Sequence, residues 1–176
     1  YDVQKEKDLR FLDLVVGTPK KEAFDEVLRV AAECGIRRVY PFECEYAQKL
    51  QFNKKRQQRV IESGVIQSNN PFSVQVRSSL KKLEEVLSLS KEYQQTFLAT
   101  LKNPASQEWE RSAVERAKMK RALLIVGPEG GFSSIEEEEL CKFTEMIRLP
   151  SYILRTPHAV SSCFGWIASK EIEALR

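Results

Sequence analysis

The chain has 176 residues, enough for one domain with a continuous core. Its 42% hydrophobic and 30% charged content belongs to a globular protein. No apolar run approaches the roughly 20 residues that span a bilayer, and the polar segment Tyr1–Asp8 lacks the apolar core of a signal peptide. A net charge of +3 permits a nucleic-acid partner without arguing for one. The four cysteines, Cys34, Cys44, Cys141 and Cys163, show neither a CxxC pair nor zinc-ligand spacing, so free thiols in a reducing cytoplasm are expected.

Residues 1–10 read as a linker or tail and 11–176 as one domain. Phe11–Val16 is a buried strand ended by Gly17. Thr18 is placed to cap a helix whose first residue is Pro19. Ala23, Phe24, Val27, Leu28, Ala31 and Ala32 recur at helical spacing, and Gly35 suits the position after the helix end. Val39–Phe42 forms a second strand. A polar stretch with a basic cluster, Lys54, Lys55, Arg56 and Arg59, leads into a helix through Val60, Ile61 and Val65, stopped by Asn69-Asn70-Pro71. Phe72–Val76 is strand-like, Leu80–Leu89 helical and Thr96–Leu101 strand-like. Gln107–Lys120 is a charged helix and Ala122–Val126 the clearest buried strand. Glu136–Phe143 is helical, Met146–Leu149 a short strand and Ala159–Leu175 a closing helix. Strands separated by helices imply an α/β domain, a mostly parallel sheet covered on both faces. Such sheets bind ligands beyond the carboxyl ends of their strands, which directs attention to the loops after Val126 and Leu101.

Val126-Gly127-Pro128-Glu129-Gly130-Gly131-Phe132-Ser133 follows the clearest strand and opens a helix. Three glycines around one carboxylate let backbone approach a ligand and adopt positive φ. Ser133 and Glu136 have capping-box spacing. The segment is neither a Walker loop nor GxGxxG, since no Lys follows and Pro and Glu are wrong for polyphosphate. It suits a cationic, adenosine-bearing ligand; a plain tight turn reads equally well on local physics.

This segment resembles the GPEGGFS signature of the SPOUT-superfamily methyltransferases that act on N3 of a uridine in 16S ribosomal RNA. Leu149 with Ile153-Leu154-Arg155-Thr156 is similar to that family's ILRT segment. Ala31-Ala32-Glu33-Cys34-Gly35-Ile36 followed by Pro41 is similar to its helix ending in ELG, and Gln67-Ser68 more weakly to its EQS helix end. The resemblance implies a sheet ending in a trefoil knot and an S-adenosyl-L-methionine (SAM) site built from three loops. One loop is Val126, Gly127, Pro128, Glu129, Gly130 and Gly131, and another is Leu149, Ile153, Leu154, Arg155 and Thr156. The third, a poorer match, follows the strand at Leu98, Ala99 and Thr100. It also implies a cytoplasmic homodimer acting on 16S ribosomal RNA or the small ribosomal subunit. The family normally carries a preceding β-barrel RNA-binding domain, whose strand-rich pattern this sequence does not contain.

Arg155 is the expected catalytic residue, its guanidinium favouring the uridine anion or holding a phosphate. The competing reading is an ion pair with Glu129 or another carboxylate. Pro157-His158-Ala159 stands where the family reads ETA after ILRT, and Asn69 and Asn70 where it has an Arg. His158 is the lone histidine and a conceivable base for the N3 proton, but a polar helix-start residue is the more economical reading. The basic cluster serves equally as an RNA contact or a solvated helix face. No metal is expected, since SAM carries an activated methyl. Two alternatives remain: a SPOUT methyltransferase for another RNA, and a catalytically silent SAM- or RNA-binding domain.

Overall fold

The computed structural model describes residues 12–49, 51–102 and 121–174; the expected helix at 107–120 and the tail at 1–10 lie outside them. Among these residues, strands β1 (Leu12–Gly17), β2 (Arg38–Phe42), β3 (Gln75–Val76), β4 (Gln95–Ala99), β5 (Ala122–Val126) and β6 (Glu145–Ile147) form one sheet. Its order is β3-β2-β1-β5-β4-β6 and every pairing is parallel. The helices are α1 (Lys21–Glu33), α2 (Lys54–Ser68), α3 (Leu83–Ser90), α4 (Ser134–Cys141) and α5 (Thr156–Ala174).

β1 and β5 are apolar along nearly their whole length because both sheet faces are covered. Alternation along each strand divides these side chains between two cores. Leu14, Val16, Phe97, Leu124 and Val126 meet α1, α2 and α5 through Phe24, Val27, Ile61, Val160 and Ile167. On the opposite face Val15, Leu98, Leu123 and Ile125 meet Val86 of α3 and Leu140 of α4. Leu14 stands opposite both Val39 and Leu124, so the central three strands are in one register.

One polar residue interrupts this apolar centre. Asp13 is fully buried, and Arg37 donates to both its oxygens at 3.0 and 2.7 Å while the Tyr93 hydroxyl donates at 2.5 Å. A buried carboxylate is tolerable only with its lone pairs so occupied. Burial and Asp13 together hold the Tyr93 hydroxyl in its protonated form well above the ordinary range.

The helix ends show where local signals sufficed. Gly35 takes φ +70° just beyond α1 and Asn69 takes φ 57° at the end of α2, the left-handed turns that stop each helix. Thr18 does not cap α1, which begins at Lys21 after Lys20. Its backbone N–H and hydroxyl both donate to the Phe42 carbonyl, at 2.9 and 3.1 Å, and so join the carboxyl ends of β1 and β2. A tertiary partner out-competed the local cap. The basic cluster belongs to α2 itself, whose start is capped by the Asn53 side chain at 3.0 Å from the Arg56 N–H.

Candidate ligand site at the carboxyl edge of the sheet

After β5 the chain passes over β4 to reach β6, and its next segment returns to the β5 loop: the Thr156 hydroxyl donates to the Gly127 carbonyl at 3.3 Å. Three loops separated widely in sequence thereby enclose a cavity of about 500 Å³. They contribute residues 99–102, 126–132 and 149–156 (except Pro150 and Arg155), with Glu137, Ile147, Ala159 and Cys163 behind them. That volume suits a nucleoside-sized ligand.

The glycine loop is shaped by close backbone contact. Gly131 takes φ +73°, and its N–H donates to the Pro128 carbonyl at 2.9 Å. A Cβ on Gly127 would stand 3.2 Å from Gly131 backbone atoms, so the loop folds on itself at a distance only glycine permits comfortably. At Gly130 the Cβ direction leads to the Tyr46 side chain, 3.1 Å away, behind the cavity wall. From below, Gly17 makes room for the loop: a Cβ there would overlap the Pro128 ring and lie 2.9 Å from Cys44 Sγ. The expected capping box is formed: the Ser133 N–H donates to Glu136 Oε2 at 2.9 Å, and Ser133 Oγ accepts from the Glu136 N–H at 3.4 Å. The other Glu136 oxygen accepts the Glu45 N–H at 2.9 Å, fastening the loop after β2 to the same helix start.

The β4 loop is held by Glu137 of α4, which accepts from the Thr100 hydroxyl at 2.5 Å and pairs with Lys102 at 3.0 Å. This contact holds the Lys102 ammonium above its usual range. The Thr100 N–H also donates to the Ile147 carbonyl at 3.0 Å, tying β4 to β6.

Of the residues expected to hold the cofactor, Ala99, Thr100, Val126, Gly127, Pro128, Glu129, Gly130, Gly131, Leu149, Ile153, Leu154 and Thr156 all line this cavity. Leu98 does not. Strand alternation turns its side chain to the other face, into the core with Val86 and Leu140. Arg155 does not line the cavity either. It is exposed, and its guanidinium lies 3.3 Å from Glu26 of α1 rather than beside Glu129. His158 approaches the same carboxylate at 3.8 Å and faces solvent. Pro157 falls in the first turn of α5, as its missing N–H requires, with Arg155 accepting the Ala159 N–H at 2.9 Å. In the basic cluster Arg56 pairs with Asp25 at 2.5 Å, and Lys54, Lys55 and Arg59 are exposed.

The parts that Glu137, Lys102 and Gly17 play at the cavity loops escaped the sequence reading. Their roles rest on partners 27 or more residues away, and no local pattern marks them. The cysteines are free thiols. Burial pushes Cys44 and Cys163 up to about 12 and Cys34 to about 11, which keeps them protonated and unreactive at neutral pH.

A parallel sheet with a ligand-sized cavity in the loops at its carboxyl edge defines an α/β binding domain of the kind that takes nucleotide-like ligands. The family model described as an RNA methyltransferase domain matches residues 5–168, and the chain belongs to that family. A search of curated proteins finds none that matches this sequence. Among solved structures, the fold is similar to a probable rRNA-methyltransferase from Porphyromonas gingivalis (22% identity, TM-score 0.72, covering 93% of this chain and 69% of that one). It is also similar to the putative methyltransferase Lpg2936 from Legionella pneumophila, solved with SAM bound (20%, TM-score 0.71, covering 90% and 66%). A third is a ribosomal RNA small subunit methyltransferase E from Neisseria gonorrhoeae bound to S-adenosyl methionine (18%, TM-score 0.69, covering 92% and 66%). The chain thus spans about two thirds of the length of these three proteins. Among the described residues no helix is long and apolar enough to cross a membrane.

Proposed function

We propose that this chain is the methyl-transferring domain of a cytoplasmic, homodimeric enzyme that methylates N3 of a uridine in small-subunit (16S) ribosomal RNA with SAM as methyl donor. The observation that carries the proposal is the cavity in which the GPEGG loop, the ILRT segment and the β4 loop meet. Membership of the RNA methyltransferase family and the SAM-bound Neisseria structure support it. The passage from β5 over β4 to β6, followed by the return of residues 148–156 to Gly127, is the arrangement a trefoil knot would need.

The residues present fit SAM. The turn is built for glycine, since a Cβ on Gly127 would crowd the Gly131 backbone and Gly131 takes a positive φ, so the loop presents backbone to the cavity. Val126, Leu149, Ile153 and Leu154 offer apolar walls for a purine, and Glu129 adds negative charge suited to a cationic ligand, the charge of Glu137 being met by Lys102. When bound, SAM supplies a methyl already activated by its sulfonium, leaving orientation, water exclusion and disposal of the uridine N3 proton to the protein. The loops hold the donor through backbone groups. Arg155 is our choice for stabilising negative charge on the uridine, because its exposed pair with Glu26 is worth only about 0–1 kcal/mol and releases it at little cost.

Incubating the chain with SAM and small-subunit ribosomal RNA, then digesting the RNA for nucleoside mass spectrometry, tests the reading. Formation of N3-methyluridine is expected. A methylated product at another position would shift the assignment to a different RNA methyltransferase, and SAM binding with no methylation of any RNA would favour a silent binding domain. Sedimentation of the same sample should give a dimer. α5 offers to that contact the exposed parts of Phe164 and Trp166, which also pack against the subunit's own core, whereas Ile167 is wholly buried in it.

A further inference from the structure

At the mouth of the cavity three large apolar side chains stand in solvent: Tyr152 is 97% exposed, Ile153 78% and Leu101 62%. They come from two different loops, so the patch is assembled by the fold. Exposed apolar residues scattered singly require no explanation, but three at the rim of one ligand cavity do. Ile153 already has a place as a cofactor wall; Tyr152 and Leu101 have none.

We propose that Tyr152, which shares the cavity rim with Leu101, is the stacking platform for the RNA nucleotide that presents itself to the cavity, an inference that rests on the RNA methyltransferase reading above. A nucleobase must leave its helical stack before an enzyme can modify a ring atom, and proteins replace the lost stacking with an aromatic face. Tyr152 offers such a face free of competing contacts at a rim the acceptor must cross. Exposed basic residues flank it along the same segment, as suits a polyanion: Arg148, four residues before Tyr152, makes no ion pair among the described residues, and Arg155, three residues after it, makes only the exposed pair with Glu26. The side chain is also dispensable for the fold, because it is almost wholly outside the core.

The test is a fluorescence-anisotropy titration of labelled single-stranded oligouridine at low salt, with S-adenosylhomocysteine present, on wild type, Tyr152→Ala and Tyr152→Phe. Loss of one stacked base should weaken RNA binding about 10-fold in Tyr152→Ala, and Tyr152→Phe should retain it. S-adenosylhomocysteine affinity by calorimetry and the sedimentation coefficient should not change. Equal RNA affinity in Tyr152→Ala, or wild type that binds S-adenosylhomocysteine but no oligouridine, overturns the platform and leaves the cofactor reading standing. Weakened cofactor affinity in Tyr152→Ala would make it a cavity wall, and an altered sedimentation coefficient a subunit contact; either overturns the proposal. Wild type that binds no cofactor overturns the function reading beneath it.

Discussion

Arg155 occupies a segment whose neighbours, Leu154 and Thr156, both line the cavity, while its own side chain turns outward to Glu26 of α1. The two readings of this residue make different kinetic demands. If it meets the substrate, Arg155→Ala should lower the methyl-transfer rate by about 10²–10³-fold, the range for losing one electrostatic stabiliser. Arg155→Lys should recover only part, since an ammonium lacks the planar fork. Glu26→Gln should be near neutral, and the melting temperature of all three should stay close to wild type because the pair is solvent-exposed. Single-turnover methylation at saturating SAM is the measurement; a near-normal rate for Arg155→Ala would reduce the residue to a surface ion-pair partner. The carboxylate it pairs with is Glu26 of α1 and not Glu129.

At the scale of elements, the start of α4 joins chemistry to architecture. Ser133 and Glu136 satisfy the first N–H groups of the helix, and Glu136 and Glu137 then fasten the β2 and β4 loops to it. Ser133→Ala should cost about 1 kcal/mol in stability, as loss of an N-terminal cap does. It should also weaken SAM binding, because the glycine loop ends at that cap. Denaturant unfolding and calorimetry on one preparation check both halves, and a stability loss with unchanged SAM affinity would show that the loop holds its shape without the cap. The capping box was legible because its two residues are three apart, and β5 because its five residues are continuously apolar. The glycine loop and the ILRT segment were legible as motifs. Thr18 was misread because its partner, Phe42, is 24 residues away. Leu98 was named with its segment, whereas strand alternation turns its side chain away from the cavity into the core.

Across the whole molecule the two ends of the sheet carry different duties. The cavity lies beyond the carboxyl ends of β4, β5 and β6, and the Asp13–Arg37–Tyr93 cluster sits near the amino ends of β1 and β5, where Asp13 pairs in register with Leu123. Arg121, the residue before β5, adds its guanidinium over the Tyr93 ring at 4.9 Å. Among the described residues, the hydrogen bonds and ion pairs of this cluster join it to no cavity residue, and they satisfy polar groups inside the end of the sheet remote from the cavity. Arg37→Ala removes the bidentate partner of a fully buried carboxylate and should destabilise the fold by about 3 kcal/mol, as breaking a buried pair on one side does. Replacing Asp13 and Arg37 together, Asp13→Leu with Arg37→Met, should recover only part of that loss, because the Tyr93 hydroxyl and the Arg38 guanidinium, 4.0 Å from Asp13, then lose their acceptor. SAM affinity, measured well below the melting temperature, should be the same in all three proteins. Urea unfolding and calorimetry together decide it: a fall in SAM affinity that tracks the stability loss would mean the two ends are coupled through β1 and β5, and an unchanged affinity would mean the sheet isolates the site from its anchoring end.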